Sequence, residues 1–312
     1  MKRVVVTGGA GFLGSHLCDG LVQRGDEVVC VDNLSTGSKD NIEHLLANPL
    51  FSVVLADICE GIEVQGRVDV VAHLACPASP PAYLSMPLET LRVGSRGTEV
   101  ALQFAAAHQA RFLLASTSEV YGDPAVHPQP ESYWGSVNPI GPRSVYDEAK
   151  RFSESLTTAY KRTHNINTGI VRIFNTYGPR LSPGDGRVIS NFIVQALSGQ
   201  PLTIYGDGSQ TRSFCYVDDL ISGLMAMLDS DFPGPVNLGN PTEMTVADLA
   251  TKVILLTASA SPLVYRPLPT DDPARRQPDI ALARELLGWQ PYVGLDDGLA
   301  RTVNWFRERQ LR

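Results

Sequence analysis

Short runs of β-branched and apolar residues alternate with helical patterns through the first half of the chain. Near-continuous apolar runs are typical of strands buried on both faces of a parallel sheet, and the helices between them cover those faces. The predicted strands are Arg3–Thr7, Glu27–Asp32, Phe51–Ala56, Val68–Leu74, Arg111–Ser116 and Thr168–Phe174. The predicted helices include Phe12–Arg24, Pro87–His108 and Ser144–His164. The pattern predicts an α/β fold with a Rossmann-type, doubly wound parallel sheet.

The second half of the chain has a different pattern. After residue 175 the helical segments shorten and no longer alternate regularly with strands, which indicates a smaller mixed α/β domain. We therefore predict a first domain over residues 1–175 and a second over 176–312, with segments near 213–240 returning to the first. Two proline-rich stretches interrupt the pattern, Gly122–Pro142 and Ser261–Pro278, and the first shows little periodicity. A loop as long as Gly122–Pro142 inside a compact domain is more often a lid or binding loop than an idle connection.

Composition narrows the function classes. The 312 residues carry 26 Lys and Arg against 33 Asp and Glu, a formal net charge of −7. Because a nucleic-acid-binding protein is expected to be basic, nucleic acid is not an expected partner. The five cysteines include no C-x-x-C pair, so we expect free thiols, a reducing compartment and no bound metal. No apolar stretch is long enough to span a bilayer, and we expect a cytoplasmic protein without a membrane partner.

The first predicted strand leads into a glycine-rich segment, Thr7–Gly14, that opens the first helix. It satisfies both G-x-G-x-x-G and G-x-x-G-x-x-G. Glycines at such a turn let backbone N–H groups approach a pyrophosphate at the helix N-terminus. Asp32 ends the second strand, where a carboxylate accepts a hydrogen bond from a ribose 2′-hydroxyl and repels a 2′-phosphate. Together these features predict a dinucleotide site that prefers NAD to NADP.

Tyr146 and Lys150 are four residues apart in the predicted helix Ser144–His164, so both side chains lie on one helix face. A free tyrosine has a pKa near ~10. A neighbouring ammonium, together with a positive nicotinamide ring, is expected to lower this pKa and favour the phenolate. The apolar residues predicted to form the buried face of the same helix are Val145, Ala149, Phe152, Leu156 and Ala159.

Hydroxyl and acidic side chains follow the predicted strand Arg111–Ser116. The carboxyl ends of parallel strands border the ligand crevice in open α/β sheets. There Thr117 can hydrogen-bond a reacting hydroxyl, and Glu119 can act as an acid or a base. The succession of glycine turn, strand-end hydroxyl and Tyr-Lys pair predicts a nicotinamide-dependent oxidoreductase site.

These motifs and several longer blocks resemble the extended short-chain dehydrogenases/reductases, and among them the UDP-glucuronate decarboxylases, also called UDP-xylose synthases. The resemblance extends over essentially the whole chain. The blocks that carry it are His73–Pro81, Ser116–Pro124, Tyr133–Gly135, Asn138–Arg143, Tyr146–Glu148, Arg172–Pro179, Asp185–Phe192 and Gly208–Arg212. The segments CPASPP and HPQ…YWG.VNPIGPR are typical of the decarboxylases rather than of the superfamily at large.

The resemblance implies a set of site residues. It implies catalytic roles for Thr117, Glu119, Tyr146, Lys150 and Arg276, with Arg276 near the sugar carboxylate. It implies that NAD is bound by Gly8, Gly11, Phe12, Leu13, Gly14, Asp32, Asn33, Gly37, Asp57, Ile58, Leu74, Tyr146 and Lys150. It implies that the UDP-sugar is bound by Pro77, Ser79, Tyr83, Arg92, Asn175, Arg187, Tyr205, Arg212 and Arg276. Guanidinium groups suit this ligand because they bind phosphate and carboxylate bidentately.

The resemblance also implies a reaction, in which UDP-glucuronate is oxidised at C4, loses CO₂ and is reduced again at C4 to give UDP-xylose. It implies a homodimer formed through the helices Pro87–His108 and Ser144–His164. We expect no counterpart of the membrane anchor of the family's animal members. The chain departs from the family at one point, because Arg92, Val93 and Gly94 stand where Lys-Thr-Asn is usual. The Asn expected near the cofactor is therefore missing.

The sequence leaves other activities open. A UDP-sugar 4-epimerase, such as a UDP-glucuronate 4-epimerase, uses the same oxidation but keeps the carboxylate. A decarboxylase can also stop at the 4-keto pentose. A sensor protein that binds NAD or a nucleotide sugar without activity needs none of Tyr146, Lys150 and Thr117, so their presence argues against it. A 4,6-dehydratase is disfavoured because that class resembles Thr-Asp-Glu where this chain has Thr117, Ser118 and Glu119.

Overall fold

The computed structural model describes residues 1–268 and 275–310. In chain order, the strands are β1 (Arg3–Thr7), β2 (Glu27–Asp32), β3 (Phe51–Leu55), β4 (Val70–His73), β5 (Arg111–Thr117), β6 (Thr168–Ile173), β7 (Thr176–Tyr177), β8 (Leu202–Tyr205), β9 (Thr211–Ser213), β10 (Cys215–Tyr216), β11 (Val236–Leu238), β12 (Glu243–Thr245), β13 (Leu263–Arg266) and β14 (Arg275–Arg276). The α-helices are α1 (Phe12–Gln23), α2 (Pro80–Ser85), α3 (Pro87–Arg92), α4 (Thr98–His108), α5 (Ser144–His164), α6 (Val188–Leu197), α7 (Val217–Asp229), α8 (Val246–Thr257), α9 (Ala281–Leu287) and α10 (Leu295–Gln310).

A seven-stranded sheet forms the centre of the molecule, in the order β11-β6-β5-β4-β1-β2-β3. All of its neighbouring strands run parallel. The order 3-2-1-4-5-6 is that of a Rossmann fold, and here β11 extends it by one strand beside β6. The predicted fold class is therefore confirmed, and the six predicted strands agree with the observed ones to within two residues at each end.

Alternation within β1 explains why the sheet is covered on both faces. Val4 and Val6 belong to one buried apolar cluster, and Val5 belongs to another on the opposite face. Successive side chains of a strand point to opposite faces, so an uninterrupted valine run supplies apolar surface to both. This arrangement leaves the loops at the carboxyl ends of the strands as the place for polar chemistry.

The later part of the chain adds smaller sheets beside this core. β10 pairs with β7, β13 pairs with β8, and β12, β9 and β14 form a three-stranded sheet. Between these pieces the chain returns to the main sheet, because α7 packs against α1 and β11 pairs with β6. No helix within residues 1–268 and 275–310 is both long and apolar enough to cross a membrane.

The helix predicted over Pro87–His108 is confirmed, because α3, a π-helical turn and α4 follow one another without a break there. The π-helical turn covers Val93–Gly97 and includes two glycines, Gly94 and Gly97. One-turn π segments inside helices are frequent at functional sites. The turn contacts α5 directly.

The prediction of the residues on the buried face of α5 is wrong in part. Phe152 is 51% exposed and Ala159 is exposed, whereas Ala149 is buried as predicted. The buried residues of α5 are instead mostly polar, namely Tyr146, Asp147, Ala149, Lys150, Ser153 and Thr157. The polar side of the helix therefore faces the sheet and the site, and part of its apolar side faces outward.

Candidate active site

A cavity of about 1230 Å³ lies along the carboxyl ends of β1, β2, β4, β5 and β6. Its walls come from the turn after β1, the end of β2, the loops after β4 and β6, and the polar side of α5. Every residue nominated above for catalysis, cofactor binding or substrate binding lines this cavity. The structure thus brings together residues that are up to 268 positions apart, from Gly8 to Arg276.

The turn between β1 and α1 requires glycine for close packing. Gly8 has a φ of +72°, and a Cβ there would lie 2.7 Å from the backbone nitrogen of Ala75. A Cβ on Gly14 would overlap the carbonyl oxygen of Gly8. Helix α1 begins after Gly11, so the N–H groups of the cavity-lining residues Phe12 and Leu13 belong to its first turn and have no intrahelical acceptor. The turn therefore fits the pyrophosphate of a dinucleotide.

Asp32 is fixed at the end of β2 by the backbone around it. Its Oδ2 accepts a hydrogen bond from the Ala10 N–H at 2.9 Å, and its Oδ1 accepts one from the Leu34 N–H at 2.7 Å. Each carboxylate oxygen has a second lone pair that can accept from a hydroxyl. The carboxylate borders the cavity, so its position fits the ribose of NAD and opposes a 2′-phosphate.

Lys150 is almost completely buried and points back at the end of β5, where its Nζ donates to the Ala115 carbonyl oxygen at 2.9 Å. His73 lies nearby, with Nδ1 2.8 Å from the Thr7 hydroxyl and Nε2 3.3 Å from the Thr98 hydroxyl. Burial, followed by the charge of Lys150, lowers the pKa of His73 to about 3. The imidazole of His73 is therefore neutral and adds no positive charge beside Lys150.

Tyr146 lies beside Lys150 and stacks on the ring of Tyr83, with ring centroids 5.2 Å apart and an interplanar angle of 6°. Burial raises the pKa of Tyr146 well above its ordinary value, and the thiol of Cys76 adds to this effect. A hydrogen bond with Thr117 and the charge of Arg187 act in the opposite direction. The groups of the protein alone therefore do not lower this pKa, because loss of hydration outweighs them.

Glu119 is held between two guanidinium groups. Its Oε2 accepts from Nη2 of Arg143 at 2.7 Å and lies 3.4 Å from Nη2 of Arg276. Burial acts to raise the pKa of Glu119, but the charges of Arg276 and Arg143 lower it to about 2. Glu119 is thus a carboxylate at neutral pH, and these charges do not support the expectation that it donates or accepts the catalytic proton. They favour an anchoring role.

Arg276 lines the cavity and is buried, with only 2% of its surface exposed. Its parallel pairing in β14 with β9 sets it opposite Arg212. Its Nη1 donates to the Ser118 hydroxyl at 3.2 Å, and its Nη2 donates to the Gly122 carbonyl oxygen at 3.0 Å. Its Nε is buried and has no hydrogen-bond partner among the residues that the structure describes.

Three other predicted substrate-binding side chains differ in their exposure and in whether they have a carboxylate partner. Arg187 is bound bidentately by Asp185, at 2.6 and 2.7 Å. Arg92 lies at the cavity rim, is largely exposed and forms an ion pair with Glu60. Tyr205 ends β8 and is 44% exposed. These groups border the cavity, but Arg187 and Arg92 already have carboxylate partners.

The proline-rich loop Gly122–Pro142 contributes little to the cavity. Of its residues, all of which the structure describes, Pro142 lines the cavity. Much of the loop packs on the later chain, where the Gln129 backbone hydrogen-bonds with Gln277 and Asp279. The prediction of a lid or binding loop is wrong for most of this segment. The second proline-rich stretch includes residues 269–274, which lie outside the described chain.

Several cavity residues were not nominated from the sequence. Arg143 stands three residues before Tyr146, inside one of the blocks that carried the resemblance, and that position was a usable signal. Trp305 and Arg309 reach the cavity from α10, and Arg309 donates to the Asp40 carboxylate at 2.6 Å. Nothing local in the C-terminal helix indicates this contact, because it depends on how distant elements pack.

The sheet order, the glycine turn, Asp32 and the buried Tyr146–Lys150 pair define a nicotinamide-dependent oxidoreductase fold with an adjoining arginine-rich pocket. The chain belongs to the NAD dependent epimerase/dehydratase family, whose model matches residues 4–239. The family assignment made from the motifs is confirmed.

Comparison with known proteins adds detail. The chain is 52% identical over 309 residues to UDP-glucuronic acid decarboxylase 1 of Arabidopsis thaliana, covering 99% of this chain and 71% of that protein. Among solved structures it is similar to UDP-glucose 4-epimerase of Thermotoga maritima with UDP-glucose, with a TM-score of 0.91, 30% identity and 99% coverage of both chains. It is also similar to a mutant UDP-glucuronic acid 4-epimerase of Bacillus cereus in complex with NAD and a fluorinated UDP-glucuronic acid, with a TM-score of 0.89, 29% identity and coverage of 98% and 99%.

Proposed function

We propose that this chain is an NAD-dependent UDP-glucuronate decarboxylase that produces UDP-xylose. The observation that carries the proposal is the buried guanidinium of Arg276, which lines the same cavity as Tyr146 and Lys150. A buried cation beside an oxidoreductase site suits a sugar that carries a carboxylate. The 52% identity to a plant UDP-glucuronic acid decarboxylase over nearly the whole chain supports this reading.

The cofactor side of the cavity fits NAD. The turn of Gly8, Gly11 and Gly14 would hold the pyrophosphate, and Asp32 would accept from the adenosine ribose. The other residues assigned here to NAD are Phe12, Leu13, Asn33, Gly37, Asp57, Ile58 and Leu74. Bound NAD⁺ supplies a hydride acceptor for the oxidation at C4 and, once reduced, a hydride donor for its reversal.

In this mechanism, Tyr146 takes the proton of the C4 hydroxyl as that carbon is oxidised. Burial raises the pKa of the Tyr146 phenol, so the phenolate forms only if additional positive charge stabilises it. Lys150 provides one such charge from the adjacent helical turn, and the oxidised cofactor carries another. Thr117 hydrogen-bonds Tyr146 and would orient the phenol toward the hydroxyl. The main contribution of these residues is position and electrostatics.

Loss of CO₂ follows from the chemistry of the oxidised sugar. A carbonyl at C4 accepts the electrons of the C5–C6 bond as the carboxylate leaves, and C5 then takes up a proton. Arg276 would bind the carboxylate before this step, with Asn175, Arg187, Tyr205 and Arg212 along the nucleotide-sugar side. Pro77, Ser79, Tyr83 and Arg92 complete the proposed substrate contacts. Since Glu119 is ionised at neutral pH, we assign the proton for C5 to water held near Glu119 and Arg276.

A UDP-glucuronate 4-epimerase is the second candidate, because a solved structure of that activity resembles this chain at a TM-score of 0.89. Both reactions begin with oxidation at C4. They differ afterwards, because the epimerase retains the carboxylate and a decarboxylase loses it. Product mass therefore separates the two.

The deciding experiment incubates the purified protein with UDP-glucuronate, with and without added NAD⁺, and follows the nucleotide sugar by mass spectrometry. We expect loss of CO₂ and a product with the mass of UDP-xylose. A 4-keto pentose mass would identify a decarboxylase that omits the final reduction. An unchanged mass with altered stereochemistry would establish the epimerase, and no change would refute both activities.

The Tyr146→Phe variant tests the catalytic assignment within the same assay. We expect turnover to fall by at least about 10³-fold, because removing a positioned acid–base group typically costs 10²–10⁴-fold. The melting temperature should remain close to that of the unmodified chain. Near-normal turnover in the variant would show that another group moves the proton.

We also propose that the chain forms a homodimer through α3 and α5. On α3, Leu88 is 75% exposed and Leu91 is 39% exposed, and on neighbouring α5 Phe152 is 51% exposed. Contiguous exposed apolar surface is characteristic of an interaction site, and two copies of one face make a two-fold interface. Light scattering should give twice the chain mass, and Leu88→Glu with Phe152→Glu should give a monomer. The matched control is Leu255→Glu on α8, where Leu255 is 74% exposed.

The division of the chain into an NAD-binding part, residues 1–175, and a mainly nucleotide-sugar-binding part, residues 176–312, is likewise a proposal. The return of α7 and β11 to the main sheet supports assigning the segment near 213–240 to the first part. A cytoplasmic location is proposed from the cysteine pattern, since a reducing compartment suits free thiols.

A further inference from the structure

Glu119 contacts its two arginines unequally. The distance from its Oε2 to Nη2 of Arg143 is 2.7 Å, whereas that to Nη2 of Arg276 is 3.4 Å. The first is a normal charge-assisted hydrogen bond and the second is a weak one. Arg276 instead directs its closer hydrogen bond at the Gly122 carbonyl oxygen, at 3.0 Å, and its buried Nε has no partner among the described residues. Glu119 therefore neutralises the charge of Arg276 only in part.

Arg143 is well placed to restrain Glu119. It lies immediately before α5, and its carbonyl oxygen accepts from the N–H groups of Tyr146 and Asp147, both at 3.1 Å. Its side chain is mostly buried, at 17% exposed, and borders the cavity. One residue thus joins Glu119 to the first turn of the helix that bears Tyr146.

Glu119 would otherwise compete with the substrate. A carboxylate within reach of a buried guanidinium is a direct rival for a second carboxylate arriving from the sugar. An unpaired buried charge is costly, so Glu119 without Arg143 would turn to the nearest remaining cation, which is Arg276. The ligand would then have to displace Glu119 before it could bind Arg276.

We propose that Arg143 is a positioning residue that sequesters Glu119 and thereby reserves Arg276 for the carboxylate of the nucleotide sugar. This inference rests on the proposed function, because it assumes that the substrate carries a carboxylate. It makes Arg143 a determinant of the preference for a glucuronate over a neutral hexose, although Arg143 itself need not touch the ligand.

The test measures binding of two probes, UDP-glucuronate and UDP-glucose, by calorimetry to the NAD-loaded Tyr146→Phe protein, in which turnover is expected to stop. Added to this background, Arg143→Met should lower the affinity for UDP-glucuronate by at least about tenfold. It should lower the affinity for UDP-glucose by less than about twofold. Adding Glu119→Gln to Arg143→Met should restore the affinity for UDP-glucuronate, because the competing charge is gone. The matched control is Arg67→Met, which removes a guanidinium exposed outside the cavity and should change neither affinity.

Three outcomes would overturn the proposal. The first is an equal loss of affinity for both probes in Arg143→Met, which would show that Arg143 has a general structural role. The second is failure of Glu119→Gln to restore UDP-glucuronate binding in the double variant. If Arg143→Met does not fold, the single variant Glu119→Gln decides. The proposal requires this variant to bind UDP-glucuronate at least as tightly as the unmodified site does. Weaker binding of UDP-glucuronate to Glu119→Gln is therefore the third outcome. Failure of the premise that the substrate carries a carboxylate gives a different result, because the Tyr146→Phe background would then bind both probes alike.

Discussion

The ideal Cβ position of Gly94 lies 2.6 Å from the Cβ of Ala149, the residue that precedes Lys150. The Ser153 hydroxyl donates to the carbonyl oxygens of Gly94 and Ala149, at 2.7 and 2.8 Å. The π-helical turn Val93–Gly97 is thereby packed directly on the part of α5 that carries the proposed catalytic pair. Where the family usually has Asn, this chain has a residue with no side chain at the point of closest approach.

Gly94→Ala should therefore disturb Lys150 through Ala149. A separation of 2.6 Å is too short for two carbon atoms, so the π-helical turn or α5 must move. We expect kcat to fall about ten- to hundredfold, because small misplacements of catalytic groups have effects of that size. Overpacking should also cost about 1–3 kcal/mol of unfolding free energy. Steady-state kinetics and thermal unfolding measure the two effects.

A compensating variant separates this mechanism from general damage. Ala149→Gly removes one partner of the clash, so the double variant Gly94→Ala/Ala149→Gly should recover part of the lost kcat. Gly294→Ala is the control, because a Cβ at Gly294 would meet nothing within 4 Å. If Gly94→Ala had normal kinetics, the close approach would have no bearing on Lys150.

The main sheet and the cofactor turn could be predicted because their signals are local. Each apolar strand is continuous in sequence, and Gly8, Gly14 and Asp32 sit at fixed offsets from the first two strands. Tyr146 and Lys150 share one helical turn. Such features depend on backbone conformation over a few residues, which the sequence specifies directly.

The charge state of the site could not be predicted in the same way. The guanidiniums that ionise Glu119 belong to Arg143 and Arg276, which are 24 and 157 positions away along the chain. The pKa of Tyr146 depends on burial by the whole fold. The prediction that the apolar stripe with Phe152 is buried is wrong in part, because periodicity shows that a helix is amphipathic but not which neighbour covers each side.

Tyr83 should support Tyr146 through ring contact. The two rings are parallel to within 6° at a centroid separation of 5.2 Å, and Tyr83 is buried. Tyr83→Phe keeps the ring, so we expect kcat within about threefold of normal. Tyr83→Ala leaves a cavity and should lower stability by about 3–5 kcal/mol and kcat by about tenfold or more. Equal kinetic losses in both variants would assign the effect to the hydroxyl instead.

Asp147 should make stability depend on pH. Burial, followed by the charge of Glu119, raises the pKa of Asp147 to about 7, against the opposing charges of Arg143 and Arg276. An unfolded aspartate has a pKa near ~3.9, so between about pH 4 and pH 7 the folded chain binds more protons than the unfolded chain. Stability from this group is present at low pH and is lost as pH rises through about 7.

Asp147→Asn tests this dependence because it resembles the neutral acid at every pH. The variant should be more stable than the unmodified chain, and the difference should be larger at about pH 8 than at about pH 5. Denaturant unfolding at both pH values measures it. Glu148→Gln on the next position is the control for removing one negative charge. A difference that did not grow with pH would show that Asp147 is already ionised in the folded chain at the lower pH.

Asp32→Asn should weaken NAD binding and reduce discrimination against NADP. The two carboxylate oxygens of Asp32 accept from the N–H groups of Ala10 and Leu34, whereas an amide offers one acceptor oxygen. One of these N–H groups would lose its partner, at a cost of about 1–3 kcal/mol. Loss of the negative charge also removes the repulsion of a 2′-phosphate.

Calorimetric titration of both dinucleotides should show NAD binding weakened by at least about tenfold and NADP binding weakened less. Asp40→Asn, which alters a carboxylate paired with Arg309, should leave the ratio of the two affinities unchanged. An unaltered ratio in Asp32→Asn would mean that another group selects between the dinucleotides.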